Sequence, residues 1–402
     1  MKIISASTPR PIKGQVNLPA SKSISNRALI INTLSHSPFP IENLSDCDDT
    51  RIMVEALHSG DHGFDIGHAG TAMRFLTAYF SQLPGAWELT GSERMQQRPI
   101  GILVDALNQL GAHIEYAGKN GYPPLRIFGS SLTGGTLEIP ASVSSQYISA
   151  LMMIAPYMSQ GMDLRLTGKI VSPTYIDMTY LIMQAFGADI SPTATGFRIL
   201  PAPYTPIPYR VEADWSAASY FYELLVLAGQ GEIEMQGLTQ NSMQGDARQV
   251  EIWEQLGVTT TFKDQGILLT KTPLRIQQLE YDFIEMPDLV QSFAVACCLS
   301  DIPFSFTGVE TLRIKETDRI QALTAELAKL GYRVKSAGDN RLFWEGEKYL
   351  VSATPEIATY HDHRMAMSFA PAILKYPDLV ILDKGVTSKS FPHYWDELKR
   401  LI

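Results

Sequence analysis

The sequence contains little cysteine, and its three cysteines follow no pattern of a known site. Cys47, Cys297 and Cys298 are an odd number without the spacing of a metal site, and adjacent cysteines rarely pair with each other. The cysteines therefore predict neither a disulfide framework nor a bound metal. Cys297 and Cys298 lie in the apolar segment SFAVACCLS, which predicts two small buried residues.

The sequence also lacks an excess of positive charge and a long hydrophobic run. Its 33 Lys and Arg residues are outnumbered by 42 Asp and Glu residues, for a net charge of -9. A broad nucleic-acid surface needs dense positive charge, so an anion site here must be local. No stretch approaches the roughly 18 apolar residues of a membrane span, and MKIISASTPRPIKG lacks the apolar core of a signal peptide. We expect a cytoplasmic protein without nucleic-acid or membrane partners.

Four amphipathic segments share one ending, and their spacing predicts a repeated αβ unit. Each segment predicts a helix that ends at a left-handed glycine and leads into a half-exposed strand: ILVDALNQLGAHIEY, MTYLIMQAFGADI, EIWEQLGVTTTF and IQALTAELAKLGYRV. The glycines recur at intervals of 76, 70 and 74 residues, at Gly111, Gly187, Gly257 and Gly331. Intervals this long predict small subdomains of several elements rather than a solenoid.

The same interval divides the 402 residues into six αβ units in two groups of three. The C-terminal helix WDELKRLI ends where another strand is due, so the N-terminal KIISAS would supply that strand. EALHSG ends at Gly60, only 51 residues before Gly111, which predicts a truncated first unit. A chain of this length exceeds what one hydrophobic core organises. We expect an α/β fold with one domain over 19–213 and a second over 1–18 plus 214–402.

Positively charged residues occur where loops lead into helices, first in LPASKSISNRALIINTLS. Pro19 disfavours helix before it, and Ser21 or Ser23 can cap the apolar helix that follows. Lys22 and Ser23 then lie near the helix N-terminus, and Arg27 lies a turn further along the same face. Free N–H groups and the helix dipole favour an anion at this position.

Comparable junctions recur along the chain and together indicate a site for several anionic groups. They are Gly70, Thr71 and Arg74 in GHAGTAMRFL, Arg98 in MQQRPIG, Ser144, Ser145 and Gln146 in SVSSQYISALM, Ser172 and Tyr175 in SPTYIDM, Lys315, Glu316, Asp318 and Arg319 in LRIKETDRIQAL, and Asp362, His363 and Arg364 in TYHDHRMAM. Gly70 and Thr71 predict a small loop whose backbone can approach a ligand closely. Pro99 favours an extended Arg98 before its helix.

Two carboxylates of these junctions have both structural and catalytic interpretations. Asp288 in EMPDLVQSFAV could cap the helix that follows it, which is the commoner role of Asp after Pro. Glu316 could simply pair with Lys315 or Arg319. Among several cations a carboxylate stays ionised unless desolvation prevails, so the two could instead divide the roles of base and acid.

His361 and His363 alternate around Asp362, as metal ligands on a strand can. No further His-rich motif is present, and Arg364 next to them would repel a divalent cation. We therefore expect no metal at this position.

A series of ordered motifs resembles the 5-enolpyruvylshikimate-3-phosphate synthase family of enolpyruvyl transferases. The motifs cover nearly the whole chain: LPASKSISNRAL, HAGTAMRFL, SSQYISALMM, MPDL, LRIKETDRI, TYHDHRMAM and TSKSFPHYWDEL. The resemblance implies two domains of three αβ units each, with buried helices, outward-facing sheets and the active site in the cleft between the domains. It agrees with the repeat found from the glycine spacing.

The resemblance also implies the substrates, shikimate 3-phosphate and phosphoenolpyruvate, and the residues that hold them. Positions that match shikimate 3-phosphate contacts are Lys22, Ser23, Arg27, Ser144, Ser145, Gln146, Ser172, Tyr175 and Lys315, with Lys22 also near phosphoenolpyruvate. Positions that match phosphoenolpyruvate contacts are Gly70, Arg98, Arg319, Arg364 and Lys389. Further candidate substrate contacts are Asp288, Thr311 and His363.

The reaction implied by the resemblance is addition and elimination through a tetrahedral intermediate, on the route to chorismate and aromatic amino acids. Asp288 would deprotonate the 5-hydroxyl of shikimate 3-phosphate, Glu316 would handle the C3 proton of phosphoenolpyruvate, and Lys22 would assist at the hydroxyl. No metal or organic cofactor is implied, and we expect a monomer. Glyphosate-sensitive members of the family keep glycine at the position of Gly70, so we expect inhibition by glyphosate.

The sequence departs from the family pattern at single residues and in one segment. The residues are His68 and His361, where Asn is usual, Thr311, where Asn is common, and Ala20, where Gly is frequent. We expect these changes to alter local hydrogen bonds rather than the reaction. The stretch from Asp49 to Gly67 is shortened, which predicts a reduced edge of the first unit.

Two other functions stay open from the sequence. The related enolpyruvyl transferase that acts on UDP-N-acetylglucosamine carries a reactive cysteine in a characteristic loop, and none of the three cysteines lies in a matching loop. The second is a catalytically silent protein that binds phosphorylated metabolites, which would have kept the cations but lost turnover. The presence of Asp288 and Glu316 favours an enzyme.

Overall fold

The computed structural model describes residues 11–142, 144–351 and 355–402. The chain forms two compact units: unit A, Ala20–Val211, and unit B, Glu212–Ile402 together with the N-terminal segment that ends at Pro19. The predicted strand KIISAS lies outside the described residues. The predicted domain limits and the predicted location of the active site between the domains stay predictions. Within the described ranges, no helix is long and apolar enough to cross a bilayer.

The described residues alternate between helices and strands throughout both units. The α-helices are α1 (Lys22–Leu34), α2 (Asp48–His58), α3 (Gly70–Ser81), α4 (Gly101–Gln109), α5 (Ser145–Ile154), α6 (Pro173–Ala185), α7 (Trp215–Leu227), α8 (Gln249–Gln255), α9 (Val290–Leu299), α10 (Arg319–Lys329), α11 (His363–Phe369) and α12 (Tyr394–Leu401). The β-strands are β1 (Ile12–Val16), β2 (Ile41–Glu42), β3 (Gly63–Asp65), β4 (Gly85–Thr90), β5 (His113–Tyr116), β6 (Leu125–Gly129), β7 (Gly135–Pro140), β8 (Met162–Thr167), β9 (Ile190–Pro192), β10 (Gly196–Ile199), β11 (Tyr209–Arg210), β12 (Gly231–Gln236), β13 (Val258–Lys263), β14 (Gly266–Lys271), β15 (Leu279–Asp282), β16 (Phe304–Thr307), β17 (Lys335–Ala337), β18 (Arg341–Trp344), β19 (Glu356–Ile357) and β20 (Val380–Ile381).

The sheets repeat one topology, which confirms the repeated αβ unit. Each unit contains two four-stranded sheets, ordered β3-β4-β6-β5 and β7-β8-β10-β9 in unit A, and β1-β12-β14-β13 and β15-β16-β18-β17 in unit B. In each of these sheets the first two strands are parallel and the other two pairings are antiparallel. Such a parallel pair needs a crossover, which contains a helix in three of the sheets, whereas the connection from β1 to β12 includes all of unit A.

Each unit also has one short parallel pair, β2 with β11 in unit A and β19 with β20 in unit B. The pair of β2 with β11 confirms the reduced edge that the sequence predicts for the first of the six αβ repeats. The sequence did not predict that the sixth αβ repeat, with β19 and β20, would also have only two strands among the described residues.

The helices are buried and the sheets face outward within each unit, as the family resemblance implies. Every residue of α9 and nearly every residue of α3 and α7 is buried. A helix that is apolar on all sides belongs in a core. The strands instead alternate buried and exposed residues, for example in β7. Cys297 and Cys298 are buried in α9, as predicted.

The four helix-ending glycines adopt the left-handed conformation that the sequence predicts. Gly111, Gly187, Gly257 and Gly331 have φ angles of 106°, 78°, 84° and 90°. Glycine adopts this conformation without the steric cost that a Cβ imposes. The chain reverses at each of them and enters the next strand, which fixes the repeat.

Candidate active site

The N-terminal ends of four buried helices meet at one end of unit A. Arg27, in the second turn of α1, reaches the second turns of α5 and α6, with its Nη2 3.1 Å from Ser149 Oγ and its Nε 2.7 Å from Thr179 Oγ1. Its guanidinium also lies over the ring of Phe75, in the second turn of α3. These contacts bring the second turns of the four helices together. Their free N–H groups and dipoles favour an anion at that end.

Arg27 serves largely to join these helices. Its guanidinium also donates to the carbonyl oxygens of Ser23 and Tyr175, so four of its five N–H groups are used within unit A. Burial lowers the pKa of Arg27 to about 10, so it remains a cation at neutral pH. Its predicted contact with shikimate 3-phosphate stays a prediction.

Lys22 lies in the first turn of α1, as predicted. Ser21 caps this helix, since its Oγ accepts the N–H of Ile24 at 3.5 Å. The Lys22 ammonium is 3.2 Å from the buried Asp49 carboxylate of α2, and both side chains are mostly shielded from solvent. The sequence did not predict Asp49 as the partner of Lys22. The acidic run SDCDD before α2 was the available signal, but only the folded chain identifies which carboxylate is in reach.

Gly70 and Thr71 form the first turn of α3 rather than the predicted loop. A Cβ on Gly70 would lie 2.6 Å from Nη1 of Arg98, so glycine allows the guanidinium to pass closely. Arg98 has the predicted extended conformation and is buried. Its Nε has no hydrogen-bond partner among the described residues. A buried cation with an unused donor is what an anion site requires.

The other predicted residues of unit A lie at the N-terminal ends of α5 and α6. Ser144 caps α5, accepting the Gln146 N–H at 3.2 Å, while the Gln146 amide donates to Thr71 Oγ1 at 3.2 Å. Ser145 is buried in the first turn of the same helix. The structure therefore brings the predicted groups of α3 and α5 together.

Ser172 and Tyr175 mark the start of α6. Ser172 precedes this helix in a left-handed conformation, with a φ angle of 51°, and its side chain does not cap. Serine rarely adopts this conformation. The Tyr175 ring lies 5.8 Å from the Arg27 guanidinium, which links α6 to α1.

Unit B has its own convergence of helix starts. A chain of serine hydroxyls joins α7, α9 and α11: Ser219 lies 3.1 Å from Ser292, which lies 3.3 Å from Ser368. Ser219 and Ser292 lie near the N-terminal ends of their helices, and Ser368 lies near the C-terminal end of α11. Asp288 immediately precedes α9, Arg319 begins α10 and Arg364 lies in the first turn of α11. The predicted charged residues of unit B therefore meet at one place.

Asp288 is surrounded by three cations, and Leu289 rather than Asp288 occupies the N-cap position of α9. Its Oδ1 is 2.9 Å from Arg319 Nη1 and 3.5 Å from Lys315 Nζ, and its Oδ2 is 2.7 Å from Arg364 Nη2. Burial alone would raise its pKa. Arg364, Lys315 and Arg319 instead lower the pKa of Asp288 well below its usual value. The carboxylate is therefore ionised at neutral pH.

Glu316 lies beside the same cations but has a different pair of partners. Its Oε2 accepts from Arg319 Nη2 at 3.2 Å, and its Oε1 is 3.4 Å from Lys389 Nζ. Asp362 takes the remaining side of Arg319, with Oδ2 2.7 Å from Nε. The cluster contains four cations and three carboxylates, because Lys315, Arg319, Arg364 and Lys389 surround Asp288, Glu316 and Asp362. Its net charge is positive, which suits an anionic ligand.

Thr311 and His363 complete the predicted residues of unit B. The Thr311 hydroxyl is buried and has no hydrogen-bond partner among the described residues. This hydroxyl is therefore available as a donor or acceptor to a ligand. His363 is buried, with Nδ1 3.6 Å from Asp362 Oδ1, whereas the His361 side chain is exposed and lies near Asp383.

The two histidines thus lie in different environments and do not form a shared metal site. In the part of the chain that the structure describes, no group of three or more His, Cys, Asp or Glu residues could hold a metal ion.

Sequence reasoning missed Asp246 and Tyr220, which lie at the edge of the unit B cluster. Burial, and then the negative charge of Asp288, raise the pKa of Asp246 to about 7. The Tyr220 hydroxyl lies 3.3 Å from Arg364 Nη1. NSMQGDAR carries Asp246 at a turn before α8, but nothing in the sequence indicates that Asp246 approaches Asp288.

These features define the class of protein: an α/β protein whose buried helix ends carry clustered cations and carboxylates. A sequence model of the family described as EPSP synthase (3-phosphoshikimate 1-carboxyvinyltransferase) matches residues 6–62 and 58–398. The chain belongs to this EPSP synthase family. The two parts of the match meet at 58–62, within the stretch that is shortened here.

Relatives of this family match over nearly their full length. The 3-phosphoshikimate 1-carboxyvinyltransferase of Bacteroides fragilis is 52% identical over 395 residues, which cover 98% of this chain and 96% of the relative. That of Aliivibrio fischeri is 38% identical, covering 97% of each chain. A solved EPSP synthase structure from Acinetobacter baumannii aligns with a TM-score of 0.75 at 20% identity, over 98% of this chain and 96% of that one. The last likeness supports the fold alone.

Proposed function

We infer that the protein transfers the enolpyruvyl group of phosphoenolpyruvate to the 5-hydroxyl of shikimate 3-phosphate and releases phosphate. The observation that carries this inference is the unit B cluster, in which Arg319, Arg364 and Lys315 surround an ionised Asp288. The name of the relative from Bacteroides fragilis, which is 52% identical, supports it. The reaction belongs to the shikimate pathway of aromatic amino-acid biosynthesis.

We propose that both units contribute contacts to the anionic groups of the substrates. For phosphoenolpyruvate these are Gly70 and Arg98 of unit A and Arg319, Arg364 and Lys389 of unit B. For shikimate 3-phosphate they are Lys22, Ser23, Arg27, Ser144, Ser145, Gln146, Ser172 and Tyr175 of unit A and Lys315, Thr311 and His363 of unit B. The unused Nε of Arg98 and the unused hydroxyl of Thr311 support these roles, because buried polar groups normally have partners.

The chemistry follows from proton transfers at Asp288 and Glu316 in an addition step and an elimination step. In the addition step Asp288 accepts the proton of the 5-hydroxyl and the oxygen bonds to C2 of phosphoenolpyruvate. Glu316, protonated in the complex with both substrates, delivers its proton to C3. In the elimination step the C2–O bond to phosphate breaks, and Glu316 takes a proton back from the C3 methyl group. Asp288 returns its proton to the departing phosphate and the double bond re-forms, so both carboxyl groups regain their starting protonation states. Lys22 assists proton transfer at the hydroxyl.

The cations around Asp288 make it a weak base until the substrates bind. Arg364, Lys315 and Arg319 hold its pKa well below the usual value against the effect of burial. Substrate phosphate and carboxylate groups would neutralise those cations, so the pKa of Asp288 would rise toward the value that a general base needs. Substrate binding therefore prepares the base, and the free enzyme avoids unproductive proton transfer.

Glyphosate is the proposed inhibitor. Gly70 leaves the space that the Arg98 guanidinium fills, and that guanidinium is a proposed phosphoenolpyruvate contact. A small anion that carries carboxylate and phosphonate groups would compete for the same donors. The monomeric state and the cytoplasmic location stay predictions.

A phosphorus NMR time course tests the reaction. Mixing the protein with shikimate 3-phosphate and phosphoenolpyruvate should produce inorganic phosphate and one new phosphomonoester at equal rates. A shifted shikimate 3-phosphate resonance without any new signal would indicate a silent binder and would contradict the proposed function.

A further inference from the structure

The segment that leads into α11 has an unusual backbone. Tyr360 and His361 have φ angles of 54° and 55°, and they are the only consecutive non-glycine residues with positive φ in the ranges the structure describes. Side chains rarely adopt this conformation, and it persists only where surrounding contacts determine it. The next residue is Asp362, which caps α11 and holds Arg319. The segment 358–362 therefore sets the position of a residue in the charged cluster.

Glu326 of α10 holds this segment at two points. Its Oε2 accepts the backbone N–H of Ala358 at 3.0 Å, and its Oε1 accepts the Tyr360 hydroxyl at 2.6 Å. Glu326 is fully buried, and both contacts are partly buried. Lys329, one turn later, lies 2.7 Å from Oε2 and balances the charge. Burial, and then Glu326, raise the pKa of Tyr360 to about 12, so its hydroxyl keeps the proton that it donates.

The same helix holds the far end of the segment through Arg319. Arg319 begins α10, and its guanidinium binds both oxygens of Asp362, with distances of 2.7 and 3.4 Å. Glu326 lies seven residues later, two turns along the same buried face of α10. Asp362 in turn accepts the N–H of Arg364 at 2.9 Å. One helix thus fixes both the entry and the exit of 358–362.

We propose that Glu326 is a positioning residue for enolpyruvyl transfer, which holds 358–362 so that Asp362 and Arg364 keep their places beside Arg319 and Asp288. Glu326 acts through Tyr360 and Ala358 and does not touch the substrate. This inference rests on the proposed function, because Arg319 and Arg364 are the proposed phosphoenolpyruvate contacts. Loss of Glu326 should therefore weaken phosphoenolpyruvate binding more than it weakens shikimate 3-phosphate binding.

The test uses two variants in the full-length protein. Glu326→Gln removes one of the two acceptor oxygens and places an amide N–H₂ against a donor. Tyr360→Phe removes only the hydroxyl of a side chain that is 38% exposed, so it should fold normally. If Glu326→Gln does not fold, Tyr360→Phe decides alone.

Glu397→Gln is the matched control. Glu397 is also buried on a helix, its Oε2 accepts the N–H of Asn17 at 3.1 Å, and its Oε1 accepts from Arg400, three residues later, at 2.6 Å. It lies outside the proposed machinery. It should reproduce any general loss of stability without a change in substrate binding.

We expect the KM for phosphoenolpyruvate to rise about tenfold in Glu326→Gln and Tyr360→Phe, which corresponds to one lost charge-assisted hydrogen bond. The KM for shikimate 3-phosphate should change by less than about threefold, and the double variant should be no worse than Glu326→Gln. In Glu397→Gln both KM values should stay within about twofold of the wild-type values, although its Tm should fall by about as much as that of Glu326→Gln. An unchanged KM for phosphoenolpyruvate in both test variants overturns the inference.

Amide hydrogen exchange separates this inference from the proposed function. The backbone N–H groups of Asp362 and Arg364 should exchange faster in Tyr360→Phe than in the wild type, and equal rates overturn the positioning role. A wild-type protein without transfer activity would overturn the proposed function instead, and the exchange rates would then decide the positioning role alone.

Discussion

Replacing Gly70 by Ala changes the anion site of unit A with little effect on folding. The added Cβ would lie 2.6 Å from Nη1 and 3.0 Å from Cζ of Arg98. Ordinary carbon contacts need about 3.5 to 4 Å, so the guanidinium must move by about 1 Å. The fold absorbs this cheaply, because the guanidinium is the far end of a flexible side chain. Gly70 also lies in a helix, where Ala is intrinsically favoured over Gly by up to about 1 kcal/mol.

The displaced guanidinium should lose one charge-assisted hydrogen bond to phosphoenolpyruvate. Such a bond contributes about 1.5 to 3 kcal/mol, so the KM for phosphoenolpyruvate should rise by at least about tenfold. The KM for shikimate 3-phosphate should change by less than about threefold, and the Tm should stay close to that of the wild type. Steady-state kinetics with each substrate varied in turn and a thermal melt measure these quantities.

A double-mutant cycle with Arg98→Ala tests whether the effect passes through Arg98. In the Arg98→Ala background the methyl group has no guanidinium to displace, so Gly70→Ala should change the KM for phosphoenolpyruvate by less than about twofold. An equal increase in both backgrounds would refute the reasoning.

Two further variants test the roles assigned in unit B. Glu316→Gln should lower kcat by about a hundredfold or more while changing either KM by less than about threefold, because general acid–base groups act mainly on turnover; an unchanged kcat in steady-state assays would remove its role. Asp246→Asn should flatten the pH dependence of stability, because burial and Asp288 raise the pKa of Asp246 to about 7 and the wild type therefore loses stability as pH rises from about 4 to 7. Between pH 5 and pH 7 the free energy of unfolding, measured with urea, should fall by about 2 kcal/mol more in the wild type than in the variant. An equal change in both proteins would contradict this.

The repeat and the helix junctions could be predicted from the sequence because their signals are local. A glycine at a helix end requires only its own left-handed backbone, and all four predicted glycines have it. Serines near helix starts cap through neighbouring N–H groups, as Ser21 and Ser144 do.

The remaining features depend on contacts between distant residues. The pairing of Lys22 with Asp49 and the approach of Asp246 to Asp288 arise only after the helices pack. Gly70 and Thr71 were predicted as a loop whose backbone can approach a ligand, but they form the first turn of α3, where Gly70 lies against the distant Arg98 guanidinium. The sheet order likewise depends on which strand ends meet, which local propensity does not determine.

A phosphate-release assay tests the central claim most directly. The wild-type protein is supplied with phosphoenolpyruvate and with either shikimate 3-phosphate or UDP-N-acetylglucosamine, and inorganic phosphate is followed through a coupled enzyme. We predict that phosphate is released when shikimate 3-phosphate is the acceptor and not when UDP-N-acetylglucosamine is. The rate of release should be about a hundredfold lower in Glu316→Gln. Release only with the nucleotide sugar, or with neither acceptor, would contradict the account.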